Sequence, residues 1–94
     1  MGPGVASRLL SKDEAGGFKT HLIRMDPGAA VPEHRHGGAE DVMVLAGDIT
    51  VHGRKMGPGD YCSAQQGSTH LRSVSENGAM LLVRTSLHNE YADE

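Results

Sequence analysis

Glycine and proline divide this chain into short pieces, and this constrains its fold more than any other feature. Thirteen glycines and four prolines occur in 94 residues, and they separate short runs that are rich in β-branched or alternating residues. No stretch of ten residues keeps the helical spacing of apolar positions. Short runs with frequent turns are typical of antiparallel sandwiches and barrels. We therefore expect one all-β domain.

The predicted strands are bounded by turn clusters rich in glycine, aspartate and asparagine. They cover residues 5–10, 18–25, 31–36, 40–45, 49–52, 61–64, 69–74 and 79–85. The single domain is expected to span residues 1–94, with its core at about 5–86. The polar tail, residues 87–94, is expected to be loose or to lie across the outside.

The aliphatic core of such a chain must be thin, since Leu, Ile, Val and Phe together number only 18. Small domains of this kind usually need a metal, a disulfide or a partner subunit. A disulfide within the chain is excluded because Cys62 is the only cysteine. A lone cysteine with no disulfide framework favours a reducing, cytoplasmic location.

Charge and hydropathy exclude several classes of partner. The net charge is −3, and no basic stripe is present, which argues against nucleic acid. No apolar run approaches the length of a membrane span, and no secretory signal opens the sequence. We therefore expect neither nucleic-acid nor membrane binding.

The segment PEHRHGGAE, residues 32–40, carries the strongest functional signal. On a strand, His34 and His36 share a face, and two neutral imidazoles in one space chelate a divalent transition metal. The glycines that follow allow a sharp reversal, and Glu40 can then return its carboxylate to the same point. Two histidines and one carboxylate leave metal coordination positions open. A turn leading into a strand offers a fourth candidate ligand, His70. The other histidines, His21, His52 and His88, are expected to have ordinary surface or core roles.

These residues resemble the two motifs of the cupin superfamily. Gly28, His34, His36, Glu40 and Gly47 match every position of the first motif. In the second motif Gly59, Gly67 and His70 match, whereas Gln65 replaces the usual proline and Val74 the usual asparagine. The resemblance covers essentially the whole chain. It implies a single-domain cupin, an RmlC-like jelly-roll β-barrel, with His34, His36, Glu40 and His70 around one metal in its mouth.

More narrowly, residues 22–49 together with GPGDY at 57–61 are similar to the cupin domain of zinc-binding, ChrR-type anti-sigma factors and their free-standing relatives. Those factors carry a helical sigma-binding domain in front of the cupin domain. The 94 residues have no room for it, so sigma binding by that route is not expected.

Strand alternation suggests further residues of a substrate pocket beside the metal. If Glu40 points inward, Val42 and Val44 do too, and they would form an apolar wall. Arg72 shares a face with His70 and would bind a carboxylate in bidentate fashion, unless it turns out to solvent at the strand end. Tyr61 is a weaker candidate, with a core or rim position as the alternative.

Two classes of function remain open. The first is a metal-dependent enzyme on a small molecule, of a dioxygenase, isomerase or lyase type, with Fe, Mn or Ni as Lewis acid. Glu40 would then double as the catalytic proton acceptor. The second is a non-catalytic module in which Zn takes all four ligands and the pocket binds or senses an effector. Both predict one divalent transition metal per chain and a small-molecule partner.

We also expect a homodimer. Residues 5–10 end in two leucines, and residues 79–83 are apolar on both faces. Pairing of outer sheets around a two-fold axis would bury both. The alternative is a monomer in which residues 86–94 fold back over the edge.

Overall fold

The structure, a computed structural model, describes residues 3–32, 34–35, 38–65, 67, 69–70, 72–87 and 90–91, and for 34, 35, 69, 70, 90 and 91 only the backbone. Within these residues the chain forms strands and turns and no helix, which confirms the all-β expectation. Accordingly, no helix in the described part of the chain is long and apolar enough to cross a membrane.

The strands are short, and every pairing recorded between them is antiparallel. They are β1 (Val5–Asp13), β2 (Phe18–Met25), β3 (Ala30–Val31), β4 (His34–Arg35), β5 (Glu40–Gly47), β6 (Ile49–Val51), β7 (Arg54–Met56), β8 (Tyr61–Ala64), β9 (Thr69–His70), β10 (Ser73–Val74), β11 (Ala79–Ser86) and β12 (Glu90–Tyr91).

These strands form three sheets. The largest has the order β1-β2-β11-β5-β8, so β11 lies at its centre although it comes late in the sequence. A second sheet has the order β3-β10-β6-β7. The third and smallest has the order β12-β4-β9 and contains two of the predicted metal ligands, His34 and His70.

The core lies between the five-stranded and the four-stranded sheets. Alternate residues of β2, β5 and β11 are buried, as strand geometry requires when one face meets a core and the other meets solvent. The second sheet contributes Ile49, Val51 and Met56 to the same cluster. Each fully buried aliphatic side chain stabilises the fold by roughly 1.5–3 kcal/mol. The cluster of buried apolar residues numbers eleven among the described residues, in keeping with the thin core expected.

The turn between β5 and β6 is hydrogen-bonded to the segment before β11. The backbone N–H of Asp48 donates to the carbonyl of Gly78 at 3.0 Å. The buried Asp48 carboxylate accepts hydrogen bonds from the backbone N–H of Glu76 at 2.9 Å and from the side-chain amide of Asn77 at 2.8 Å. Gly47, with a φ of 77°, takes a left-handed conformation, and a Cβ there would collide with the carbonyl oxygen of Gly78.

The observed strands differ from the predicted ones at several points. The single strand predicted at 31–36 is two strands, β3 and β4, and the one at 69–74 is likewise β9 and β10. The segment predicted as a turn after His52 contains β7, whose Met56 is buried. For the tail, expected to be loose or to lie across the outside, the structure shows that Glu90 and Tyr91 form β12, which pairs with β4.

Candidate metal centre

The three-stranded sheet brings two predicted metal ligands together. His34 of β4 and His70 of β9 are Cα partners in an antiparallel pair, although they lie far apart in the sequence. Only the backbone of these two residues is described, and His36 lies outside the described residues. The register therefore places His34 opposite His70, and the coordination of a metal by the three histidines stays a prediction.

Glu40 begins β5 and is buried, with 6% of its surface exposed. It pairs with Ala64 of β8, and alternation puts it on the same face as the buried Val42. The Thr85 hydroxyl, on the neighbouring strand β11, donates a hydrogen bond of 2.8 Å to Glu40 Oε2. Burying a carboxylate costs free energy unless hydrogen bonds or a cation stabilise it. Glu40 is thus a carboxylate held in place inside the barrel.

His21 of β2 is a second buried polar residue on this inner face. It is 4% exposed and shares its face with Ile23 and Met25. A hydrogen bond of 2.9 Å joins its Nδ1 to Ser7 Oγ. Burial lowers the pKa of His21, the Lys19 charge adds to this, and the Glu40 carboxylate opposes it. The imidazole is therefore neutral at pH 7.

The row of residues beside Glu40 is largely apolar. Val42 and Val44, predicted as a pocket wall, are 6% and 0% exposed and belong to the core cluster. Cys62, the Cα partner of Val42, is half-buried, and burial raises the pKa of its thiol, to which the Glu40 carboxylate contributes. The thiol is therefore protonated and behaves as a small apolar group.

The two other predicted pocket residues lie in different surroundings. Arg72, between β9 and β10, is exposed, and its role in a pocket stays a prediction. Tyr61 is 51% exposed and is the Cα partner of Met43, which places it on the outer face of the sheet, opposite to Glu40. The nearby Asp41 carboxylate raises the pKa of the Tyr61 hydroxyl. This position argues against Tyr61 lining the pocket.

The donor set fits a divalent transition metal. Imidazole and carboxylate are the donors that Zn, Fe, Mn and Ni share in proteins, and Glu40 is already ordered inside the barrel by Thr85. Among the side chains that the structure describes, no group of three or more His, Cys, Asp or Glu could hold a metal. The side chains of the three predicted histidine ligands are outside that set. Glu40 is therefore the predicted ligand whose side-chain contacts the structure describes.

Two residues near Glu40 were not predicted to have a role. Thr85 shares a face with Leu81 and Val83, and His21 shares one with Ile23 and Met25. That alternation was the available signal, because a polar residue in phase with buried apolar ones points to the interior. The sequence alone could not show that both would approach Glu40.

The fold and the predicted ligand positions are those of a cupin. The family model described as the ChrR cupin-like domain matches residues 1–88, and the chain belongs to that family. No curated protein sequence matches it.

Solved structures agree with this assignment. An acetylacetone dioxygenase from Acinetobacter johnsonii is 15% identical, with a TM-score of 0.87 over 97% of this chain and 65% of that one. An RmlC-like cupin from Shewanella frigidimarina is 22% identical, with a TM-score of 0.79 over 94% of this chain and 80% of that one. At these identities the similarity shows the fold alone.

A third solved structure is more similar in sequence. It is the anti-sigma factor ChrR in complex with SigE, from Rhodobacter sphaeroides, with 31% identity and a TM-score of 0.79. The alignment covers 92% of this chain and 47% of that one. The chain thus spans about half of the anti-sigma complex's matched chain and 65% of the dioxygenase.

Proposed function

We propose that this chain is a metal-binding cupin domain that holds one divalent transition metal and acts on or binds a small molecule. His34, His36, Glu40 and His70 would hold the metal. The observation that carries the proposal is the placement of Glu40, a buried carboxylate fixed by Thr85 at the start of β5. The backbone pairing of His34 with His70 supports it.

The first hypothesis is an enzyme of the dioxygenase type or a related class. When bound, the metal would supply a Lewis acid for an oxygen of the substrate. Glu40 would accept a proton if it loosens from the metal, since its carboxylate is held inside the barrel and away from bulk water. Val42 and Val44 would exclude water from that side. The same fold occurs in an acetylacetone dioxygenase, so it is compatible with a reaction on a small, oxygen-rich substrate.

The second hypothesis is a non-catalytic zinc module that binds or senses an effector. The 31% identity to an anti-sigma factor favours it, because that protein was solved in complex with its SigE partner. Zinc with four protein ligands forms a closed tetrahedral site, which has no position for substrate activation. The metal would then mainly stabilise a thin core.

The two hypotheses differ in the identity and the coordination of the metal. We would purify the protein without added metal, measure its metal content by mass spectrometry, and determine the coordination number by X-ray absorption. Iron, manganese or nickel with about two exchangeable waters supports the enzyme. Zinc with four protein ligands supports the module, and protein without any transition metal refutes both. The cytoplasmic location suggested by the lone cysteine stays a prediction.

A further inference from the structure

His21 contains a buried polar atom that has no hydrogen-bond partner among the described residues. Its Nε2 is inaccessible to solvent and makes no hydrogen bond with any residue that the structure describes. Leaving a buried donor or acceptor unpaired costs about 1–3 kcal/mol. A hydrophobic residue at this position would avoid that cost, so we look for the partner of the imidazole outside the described residues.

The register shows which part of the interior His21 faces. Its Cα partner in β11 is Val83, whose own partner in β5 is Val42, so that the three lie in one row across the sheet. Thr85 comes two residues after Val83, and Glu40 comes two residues before Val42. Both lie on the same face as that row and are joined by the 2.8 Å hydrogen bond. His21 therefore borders the Glu40 end of the barrel, and the influence of the Glu40 charge on its pKa agrees with this.

We assign the proton of the neutral ring to Nε2. Ser7 Oγ is 2.9 Å from Nδ1, and the Ser7 hydroxyl can donate to that nitrogen while solvent satisfies its oxygen, since Ser7 is exposed. The negative charge of the Glu40 carboxylate acts on the ring and opposes the lowering of its pKa, which places Glu40 in the neighbourhood of His21. Nε2 is then a hydrogen-bond donor that faces the interior and needs an acceptor.

The charges around this donor favour a carboxylate as that acceptor. Lys19 is next to His21 on the same face of β2, is only partly exposed, and acts on His21 through its positive charge. The Glu40 carboxylate is negatively charged, as a carboxylate ligand is, and would repel it unless a cation is bound at Glu40. The inference therefore rests on the proposed metal site.

We propose that His21 Nε2–H donates a hydrogen bond to an oxygen of a small carboxylate bound beside Glu40. The metal and Lys19 would supply the positive charge. His21 is then a ligand-binding residue of the site and is separate from the four metal ligands.

The test measures malonate binding to the zinc-loaded protein by calorimetry, with uncharged malonamide as the control ligand. Gln places its amide nitrogen where His has Nε2, so His21→Gln keeps the donor, whereas His21→Phe removes it. We expect malonate to bind and malonamide not to bind. His21→Phe should weaken malonate binding at least tenfold, about 1.4 kcal/mol, and His21→Gln by less than about threefold. His52→Phe, the same exchange at an exposed turn, should leave binding unchanged.

Zinc content is measured in every variant, because it separates the two proposals. If the wild type binds no metal, the proposed function and this inference both fail. If zinc is bound but the wild type does not bind malonate, or the Phe variant binds it as tightly as the wild type, only this inference fails.

A second measurement covers the case in which His21→Phe does not fold. Long-range proton–nitrogen NMR of the wild-type imidazole should show the proton on Nε2, with a shift of that nitrogen when malonate is added. A proton on Nδ1, or no shift at saturating malonate, would overturn the inference.

Discussion

Thr85 donates a 2.8 Å hydrogen bond to Glu40 across two neighbouring strands, and both side chains are buried. The bond fixes the orientation of a carboxylate that we propose as a metal ligand. Partners of this kind orient the ligand, and their loss typically costs 10–100-fold in metal affinity. Thr85→Val keeps the shape of the side chain but removes the donor, so we expect metal binding to weaken about tenfold.

Competition with a chromogenic chelator would measure the effect of Thr85→Val. Thr85→Ser keeps the hydroxyl and should bind metal within about threefold of the wild type, by the same reasoning on ligand orientation. Thr50→Val, on the four-stranded sheet, controls for the general effect of the exchange. Equal metal affinity in the Val and Ser variants would show that Thr85 does not orient a ligand.

Metal removal should destabilise the protein clearly, because its apolar core is small. Metal present at 100 times its Kd adds about 2.7 kcal/mol to the free energy of unfolding. A change of 1 kcal/mol shifts Tm by roughly 4–8 °C in a domain of this size, so a chelator should lower Tm by roughly 10–20 °C. The His34→Ala, His36→Ala double variant should melt like the chelated protein and contain no metal.

The same site predicts a loss of metal at low pH. The imidazoles must be neutral to bind, so metal should dissociate as pH falls through roughly 6. Metal content after dialysis at a series of pH values would show this. For the stability prediction in chelator, a chelated protein that melts at the temperature of the metal-loaded form would contradict a stabilising role for the metal.

Asp48 predicts a second pH dependence, at lower pH. The Asn77 amide and the backbone N–H of Glu76 donate to its carboxylate and lower its pKa below the usual 3.8. A group whose pKa is lowered on folding stabilises the protein above its unfolded pKa, and this contribution is lost as pH falls through the folded pKa. We therefore expect stability to decline below about pH 4.

Asp48→Asn should lower Tm at pH 7, since its amide nitrogen would face the Asn77 amide, donor against donor. It should also flatten the decline below pH 4, because the titrating carboxylate is removed. Thermal melts of both proteins in chelator would separate this effect from metal loss. Asp26→Asn, at an exposed turn, is the matched control. Parallel pH profiles for Asp48→Asn and the wild type would refute the prediction.

The homodimer stays a prediction, and we place its contact on the outer face of the five-stranded sheet. Leu22, Leu82, Met43 and Tyr61 follow one another in register across four strands, and Met43 and Tyr61 are 38% and 51% exposed. The exposed Arg84 and the half-buried Asp41 are Cα partners on the same face. A face with both charges complements its own copy around a two-fold axis.

We expect light scattering to show a dimer mass for the wild type. Met43→Lys places a charge in the centre of the apolar row and should shift the protein to monomer. Thr50→Lys, on the outer face of the other sheet, should leave it dimeric. A monomer mass for the wild type at every concentration would refute the dimer.

The sequence predicts the large strands well because their alternation is clear. The bounds of β2 and β8 agree with the prediction, and β5 and β11 extend slightly beyond theirs. β7 and β12 are short and polar, so their pairing depends on neighbours that are remote in the sequence. The same difference between local pattern and remote pairing holds for the candidate metal site. Motif spacing identifies Glu40, whereas its contact with Thr85 depends on the register of β5 against β11.

The central position of β11 affects the order in which the chain can fold. During synthesis β2 and β5 leave the ribosome early, but the strand that pairs with both of them ends at Ser86. Until then, each has an unpaired edge and an uncovered apolar face, which exposes nascent chains to aggregation. The sheet should therefore fold only after residue 86 has left the ribosome, and ribosome-bound chains stalled before residue 86 should bind chaperones far more than chains stalled well beyond it.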